Sequence, residues 1–199
     1  MITAAGPFTR RAGTGRLPGG RHVTWTVADG TRGRRWRSIT TSADGRLVAG
    51  LLLEVGPDGR VARLEVTGPV GLLTLHPDTH QDRLHGNVVR PAGVEHVSLP
   101  WSPSHALLVG ASPVTAVVAA FVLGDRVGVG EGASFAAVEV GEDLAIRRAT
   151  WRAARVGERR WLLLAADGGP SVAVTLDNDG APADLDAAET WPLEPAKPA

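Results

Sequence analysis

The sequence predicts an all-β protein: an antiparallel β-roll or half-barrel built from two similar meanders, with at most one or two short helices. Three observations predict it: hairpin punctuation, an internal repeat, and the absence of long helical periodicity. Asp-Gly occurs five times, at Asp29-Gly30, Asp44-Gly45, Asp58-Gly59, Asp167-Gly168 and Asp179-Gly180. Asp-Gly suits type I′ hairpin turns, whose two central residues both take positive φ. The segments beside these pairs are strand-sized. RLVAGLLLEV (46–55) and RVARLEV (60–66) flank one; RRWLLLAA (159–166) and SVAVTLD (171–177) flank another.

The repeat lies in TWTVADGTRGRRW (24–36) and TWRAARVGERRW (150–161). Each has Thr-Trp, a polar turn, then Arg-Arg-Trp. The segments C-terminal to each copy also run in parallel. SADGRLVAGLLLEVGPDG (42–59) and AADGGPSVAVTLDNDG (165–180) both carry Asp-Gly near each end. Duplication of one meander, over 24–66 and 150–186, explains the shared order. A sheet without long amphipathic helices must cover its apolar face by curling, and the concave side of such a roll is a natural ligand cavity.

Along the chain, residues 1–20 are rich in Gly and Arg and read as a loose arm. Residues 21–194 form a single β-roll domain, and 195–199 a proline-rich tail. Residues 102–120 are ambiguous, because SPSHALLV suits a short helix capped by Ser102 or Ser104. GVGEGA (128–133) fits a dinucleotide pattern, but SFAAVEVGEDL after it reads as a strand where that motif needs a helix. Those glycines are expected to make a turn or bulge.

Composition excludes several classes. The 199 residues carry 21 basic and 21 acidic side chains, so an affinity for nucleic acid built on excess cations is not expected. Cysteine is absent, which removes disulfides, thiolate catalysis and cysteine-ligated zinc. The longest apolar run, VTAVVAAFVL (114–123), is too short to span a bilayer, and no secretory h-region is present. A cytoplasmic protein without cofactor is expected.

Four of the six histidines fall within residues 75–96. In a strand, His76, Asp78, His80 and Asp82 share one face by alternation, but such a face more simply meets water, and no metal-ligand spacing is present. No metal is expected. His85, His96 and His105 titrate near neutral pH and suit proton transfer if a cavity gathers them, with Glu95 or Glu131 to orient them. The Arg/Trp segments TRGRRWRS (31–38) and RRATWRAARVGERRW (147–161) suit either an anionic headgroup or outward arginines over inward tryptophans. The second is preferred, with Trp151, Ala149 and Ala153 inward.

GVEHVSLPWSPSHALLVG (93–110) resembles a segment of the bacterial glycolipid-binding family of spiral β-roll proteins. Gly93, Ser102-Pro103, Leu99 and Leu107 match, and the order of elements on either side fits over most of the chain. Val94 stands where that family usually has Cys, His96 and Ser98 where it has Asp, and His105 where it has Asn. The resemblance implies a spiral antiparallel roll with a cavity and an amphipathic or apolar ligand. His96, His105 and His85 are then the candidate polar handles, and Trp101 and Trp151 the apolar wall. The expected function is a binding protein for such a molecule. The alternative is a small isomerase or cyclase working on a hydrophobic intermediate in the same cavity by proton transfer and shape, with catalytic residues unassigned.

Overall fold

The computed structural model describes residues 10–78, 80–110, 112–124, 126–169, 171–185 and 193–195. Eight strands follow one another from the start: β1 (Arg10–Leu17), β2 (Arg21–Gly30), β3 (Gly33–Thr41), β4 (Leu47–Val55), β5 (Val61–Gly68), β6 (Gly71–Asp78), β7 (Arg83–Arg90) and β8 (Gly93–Pro100). Next come β9 (Ala106–Val109), the helix α1 (Val114–Leu123) and β10 (Gly132–Val140). The chain closes with β11 (Ile146–Arg155), β12 (Arg160–Ala165), β13 (Ser171–Leu176), β14 (Pro182–Leu185) and β15 (Leu193–Pro195). The larger sheet has the order β15-β1-β2-β3-β4-β5-β6-β7-β8 and the smaller β14-β13-β12-β11-β10-β9. Antiparallel β structure with a single helix among the described residues is what the sequence predicts.

Alternation explains the larger sheet. Val23, Trp25 and Val27 of β2 are buried while His22, Thr24 and Thr26 face out. Trp36 of β3, Leu53 of β4, Leu64 of β5, Leu73 and Leu75 of β6 and Leu84 of β7 are all fully buried. Each such Leu contributes roughly 2 kcal/mol of burial free energy.

Both predicted meanders form, β2 to β5 and β11 to β14, each with consecutive antiparallel neighbours. Their tryptophans hold matching roles: Trp25 and Trp151 on the first strand, Trp36 and Trp161 on the second, all buried. Ala153 is buried beside Trp151 whereas Arg148 and Arg152 are exposed, as strand parity predicts. Residues 186–192 lie outside the described residues.

Three expectations are corrected. Residues 10–17, assigned to a loose arm, form β1, which pairs with β2 along its whole length from Arg10↔Ala28 to Leu17↔Arg21. Backbone pairing orders this segment, and that needs no hydrophobic pattern. SPSHALLV is not helical either. Ala106–Val109 is a strand parallel to β10, and the helix lies later, in the apolar run. Finally, the Asp-Gly pairs do not make type I′ turns. In four of the five only the glycine has positive φ, at Gly45 (84°), Gly59 (74°), Gly168 (78°) and Gly180 (74°). One left-handed residue at the turn's end is the type I turn with a G1 bulge.

Parallel strands need a crossover, and α1 supplies the one between β9 and β10. Its sequence, VTAVVAAFVL, has no charged residue, and a helix apolar all round is a buried helix. It packs against β3, β9 and β13, so the smaller sheet curls round it from one edge to near the other. Strands β9 and β10 bury side chains of both parities, including Leu107, Leu108 and Val109 and then Ala137, Val138 and Val140. They are therefore sandwiched between layers. A buried hydrogen bond between Ser38 and Ser112, 2.8 Å between hydroxyls, ties β3 to the turn that precedes α1. The hollow that curling creates is thus occupied by the protein's own helix. No helix among the described residues is long and apolar enough to cross a membrane.

Candidate functional site

The residues singled out in the sequence go to three separate places. His85 on β7 and His96 on β8 project from the outer face of the larger sheet. There His96 Nδ1–H donates to Asn87 Oδ1 at 2.6 Å, and Ser98 Oγ lies 3.3 Å from His85 Nδ1. Arg83 Nε donates to the same Ser98 hydroxyl at 2.8 Å. His76 stands directly across from His85. Strand β6 ends at Asp78, whose carboxylate accepts from the backbone N–H of His80, so the alternation of His76 to Asp82 stops at a turn.

His105 sits on the connection from β8 to β9. Its ring meets Trp101 edge-on with centroids 5.3 Å apart, and its Nδ1 accepts from the Ser102 backbone N–H at 3.3 Å. Burial first, and the positive charge of Arg148 second, hold its pKa below the ordinary 6.5. Trp101 and Trp151 are both 5% exposed, which makes them walls of the core rather than of a ligand space. Trp151 Nε1 donates to Glu139 Oε1 at 2.5 Å, so its polar edge is satisfied inside the fold.

At one end of the roll a cleft of about 1110 Å³ forms. Its lining comes from the start of β3, the β4–β5 turn, the end of α1 and the loop after it, the β11–β12 turn, and the β13–β14 turn. Phe121, Val122 and Val129 supply apolar surface, over the buried Trp161 and Leu176.

One wall is fixed by paired charges. Arg34 holds Asp29 with a two-pronged contact, Nε to Oδ1 at 2.6 Å and Nη2 to Oδ2 at 2.8 Å. It also donates to the Asp179 carbonyl, and it lies 4.5 Å from the centre of the Phe121 ring. Arg11 reaches Asp179 at 2.6 Å and Asp177 at 3.7 Å. Asp177 Oδ1 accepts from the backbone of Asp179 and Ala181, both at 2.8 Å, which shapes the turn. Gly180 completes it. A Cβ there would stand 2.4 Å from Phe121 Cδ2, so only glycine lets the turn rest on that ring.

The other wall is cationic in a different way. Arg155 donates from Nε and Nη2 to the Glu158 carbonyl (3.1 and 2.6 Å) and from Nη1 to the carbonyls of Gly124 and Val127 (3.1 and 3.3 Å). Its guanidinium lies 5.4 Å from the Trp161 ring centre. Arg159 donates to Asn178 Oδ1 at 3.1 Å, and Arg126 is exposed. Arg155 and Arg159 meet carbonyl and amide oxygens, and none of the three has a carboxylate ion-pair partner among the described residues. Two of them, with Trp161, come from RRATWRAARVGERRW, for which an anionic headgroup is the less favoured of the two sequence readings. Nothing in the sequence links it to Phe121 or to the Asp179-Gly180 turn.

No protein-family model matches the chain, and no curated protein does. A crystal structure of a DUF1089 family protein from Pseudomonas aeruginosa, at 1.80 Å, superposes with a TM-score of 0.55 and 17% identity. The match covers 94% of this chain and 96% of that one. The likeness is one of fold.

Proposed function

We propose that this protein binds an amphipathic small molecule in the cleft at the end of the roll. The observation that carries the reading is the cleft itself: about 1110 Å³ of space with mixed polar and apolar lining and four arginines around it, of which Arg34 and Arg155 are held in place. Ligand sites are concave and combine apolar surface with fixed polar groups; here Arg34 and Arg155 are the fixed ones. The resemblance to the glycolipid-binding family supports the same ligand class. No histidine lines the cleft, and of its four carboxylates Asp177 and Asp179 are engaged by Arg11, while Asp58 and Glu158 stand at the rim.

The test is fluorescence titration with the neutral apolar probe N-phenyl-1-naphthylamine. One saturable site per chain is expected. Val122→Trp, which fills the cleft from the end of α1, should abolish it, while His96→Ala on the outer sheet face should leave it unchanged. Equal probe binding by the wild type and Val122→Trp would overturn the assignment.

A further inference from the structure

We infer that the polar end of the ligand is an anion, a carboxylate or a phosphate monoester, seated against Arg159 and Arg126; this rests on the cleft reading above. The guanidinium groups of the cleft differ in what they have left to give. Arg34 is neutralised by Asp29 and donates its remaining bond to the Asp179 carbonyl. Arg155 spends its donors on three carbonyls, so its part is to fix the wall and leave a positive charge behind it. Among the described residues Arg159 makes one side-chain hydrogen bond, to a neutral amide oxygen, although a guanidinium carries five N–H groups. Arg126 adds a second charge on the same wall.

A guanidinium with a free fork matches the two oxygens of a carboxylate or phosphate, and charge-assisted bonds of this kind are about twice as strong as neutral ones. The acidic wall opposite disfavours a second anionic group there. Asp177 and Asp179 together carry two negative charges against the one of Arg11. On the opposite wall Arg126, Arg155 and Arg159 outnumber the single carboxylate of Glu158, so the cleft is polarised across its width. It suits a molecule with one anionic end toward Arg159, hydroxyl or other donor groups toward Asp179, and an apolar body over Phe121. This polarity also explains why a chain with zero net charge is compatible with anion recognition. The field is local, and the balance elsewhere is irrelevant at distances beyond about 10 Å.

The experiment displaces bound N-phenyl-1-naphthylamine with octyl phosphate, octanoate, octanol and inorganic phosphate, at low and high salt. Octyl phosphate and octanoate should displace the probe at concentrations about tenfold lower than octanol, an advantage that fades in high salt. Inorganic phosphate alone should compete weakly. If it competes as well as octyl phosphate, the anion site stands and its source is soluble phosphate rather than a lipid-like molecule. The double variant Arg126→Gln/Arg159→Gln should erase the anion advantage while octanol displaces as before. Equal displacement by octanol and octyl phosphate in the wild type overturns the inference and leaves the cleft reading intact. Probe binding that survives Val122→Trp overturns both.

Discussion

Leu144 adopts the left-handed backbone that Gly59 adopts at the matching point of another hairpin, with φ of 61° and 74° respectively. The turns share one hydrogen-bond pattern. Gly56 N–H donates to the Arg60 carbonyl and Gly59 N–H to that of Gly56; Gly141 donates to Ala145 and Leu144 to Gly141. Asp58 and Asp143 both accept from the backbone two residues on. A side chain in this conformation costs about 1 kcal/mol or more, yet Leu144 is 1% exposed and packs in the core. Leu144→Ala should therefore destabilise more than Leu144→Gly, by about 1 kcal/mol. Both lose the buried side chain, but only glycine releases the strain. Urea-unfolding midpoints of the two variants decide the order, and a more stable Ala variant would contradict the strain argument.

Arg155→Met should cost about 2–4 kcal/mol, because three carbonyls lose their donor while the apolar stem is kept. Hydrogen exchange should locate the loss at residues 124–128, where α1 gives way to the loop. A loss spread evenly over the chain would show that the clamp is not local.

Gly180→Ala should destabilise by about 2 kcal/mol or more, since φ is 74° there and the added methyl meets Phe121. A thermal melt measures it. The matching change at Gly45, where φ is 84° but no atom lies within 4 Å of the new Cβ, should cost less. The difference between the two isolates the contact with the ring.

His105 makes stability depend on pH with a definite sign. Its folded pKa lies below 6.5, so above that pH the ring is neutral in both states. Below it the unfolded chain takes up the proton first. Stability is therefore fully present above the unfolded value and is lost as pH falls through the lowered folded one. His105→Asn keeps an acceptor for Ser102 N–H and does not titrate. Urea midpoints at about pH 8 and about pH 5 should differ less in the variant than in the wild type. An equal drop in both would remove His105 from the acid response.

Strand identity, the two meanders and the inward tryptophans are legible in the sequence because alternation and turn residues are local signals. The burial of α1 is not. VTAVVAAFVL is as consistent with a buried strand as with a helix, and only the crossover between parallel β9 and β10 decides it. Turn type escapes the sequence because Asp-Gly serves both I′ turns and the G1 bulge. The proposed cleft is not legible for a related reason. His85, His96, His105, Trp101 and Trp151 are linked by resemblance and polarity, whereas the cleft joins Arg34, Phe121, Arg159 and Gly180, far apart in sequence. Each of those looks ordinary where it stands, and only the closure of the roll brings them to one end.

The enclosed helix also shapes how the chain can fail. Parallel pairing of β9 with β10 closes only after the intervening helix is in place, and long-range pairings of this kind form late. Until both sheets have wrapped it, α1 is a ten-residue strip with no charge on any side. Heating or partial denaturant that lifts the smaller sheet away from the larger exposes that strip first, and molecules so opened adhere to one another before they refold. The protein's lifetime near its melting point is accordingly expected to depend on concentration as well as temperature.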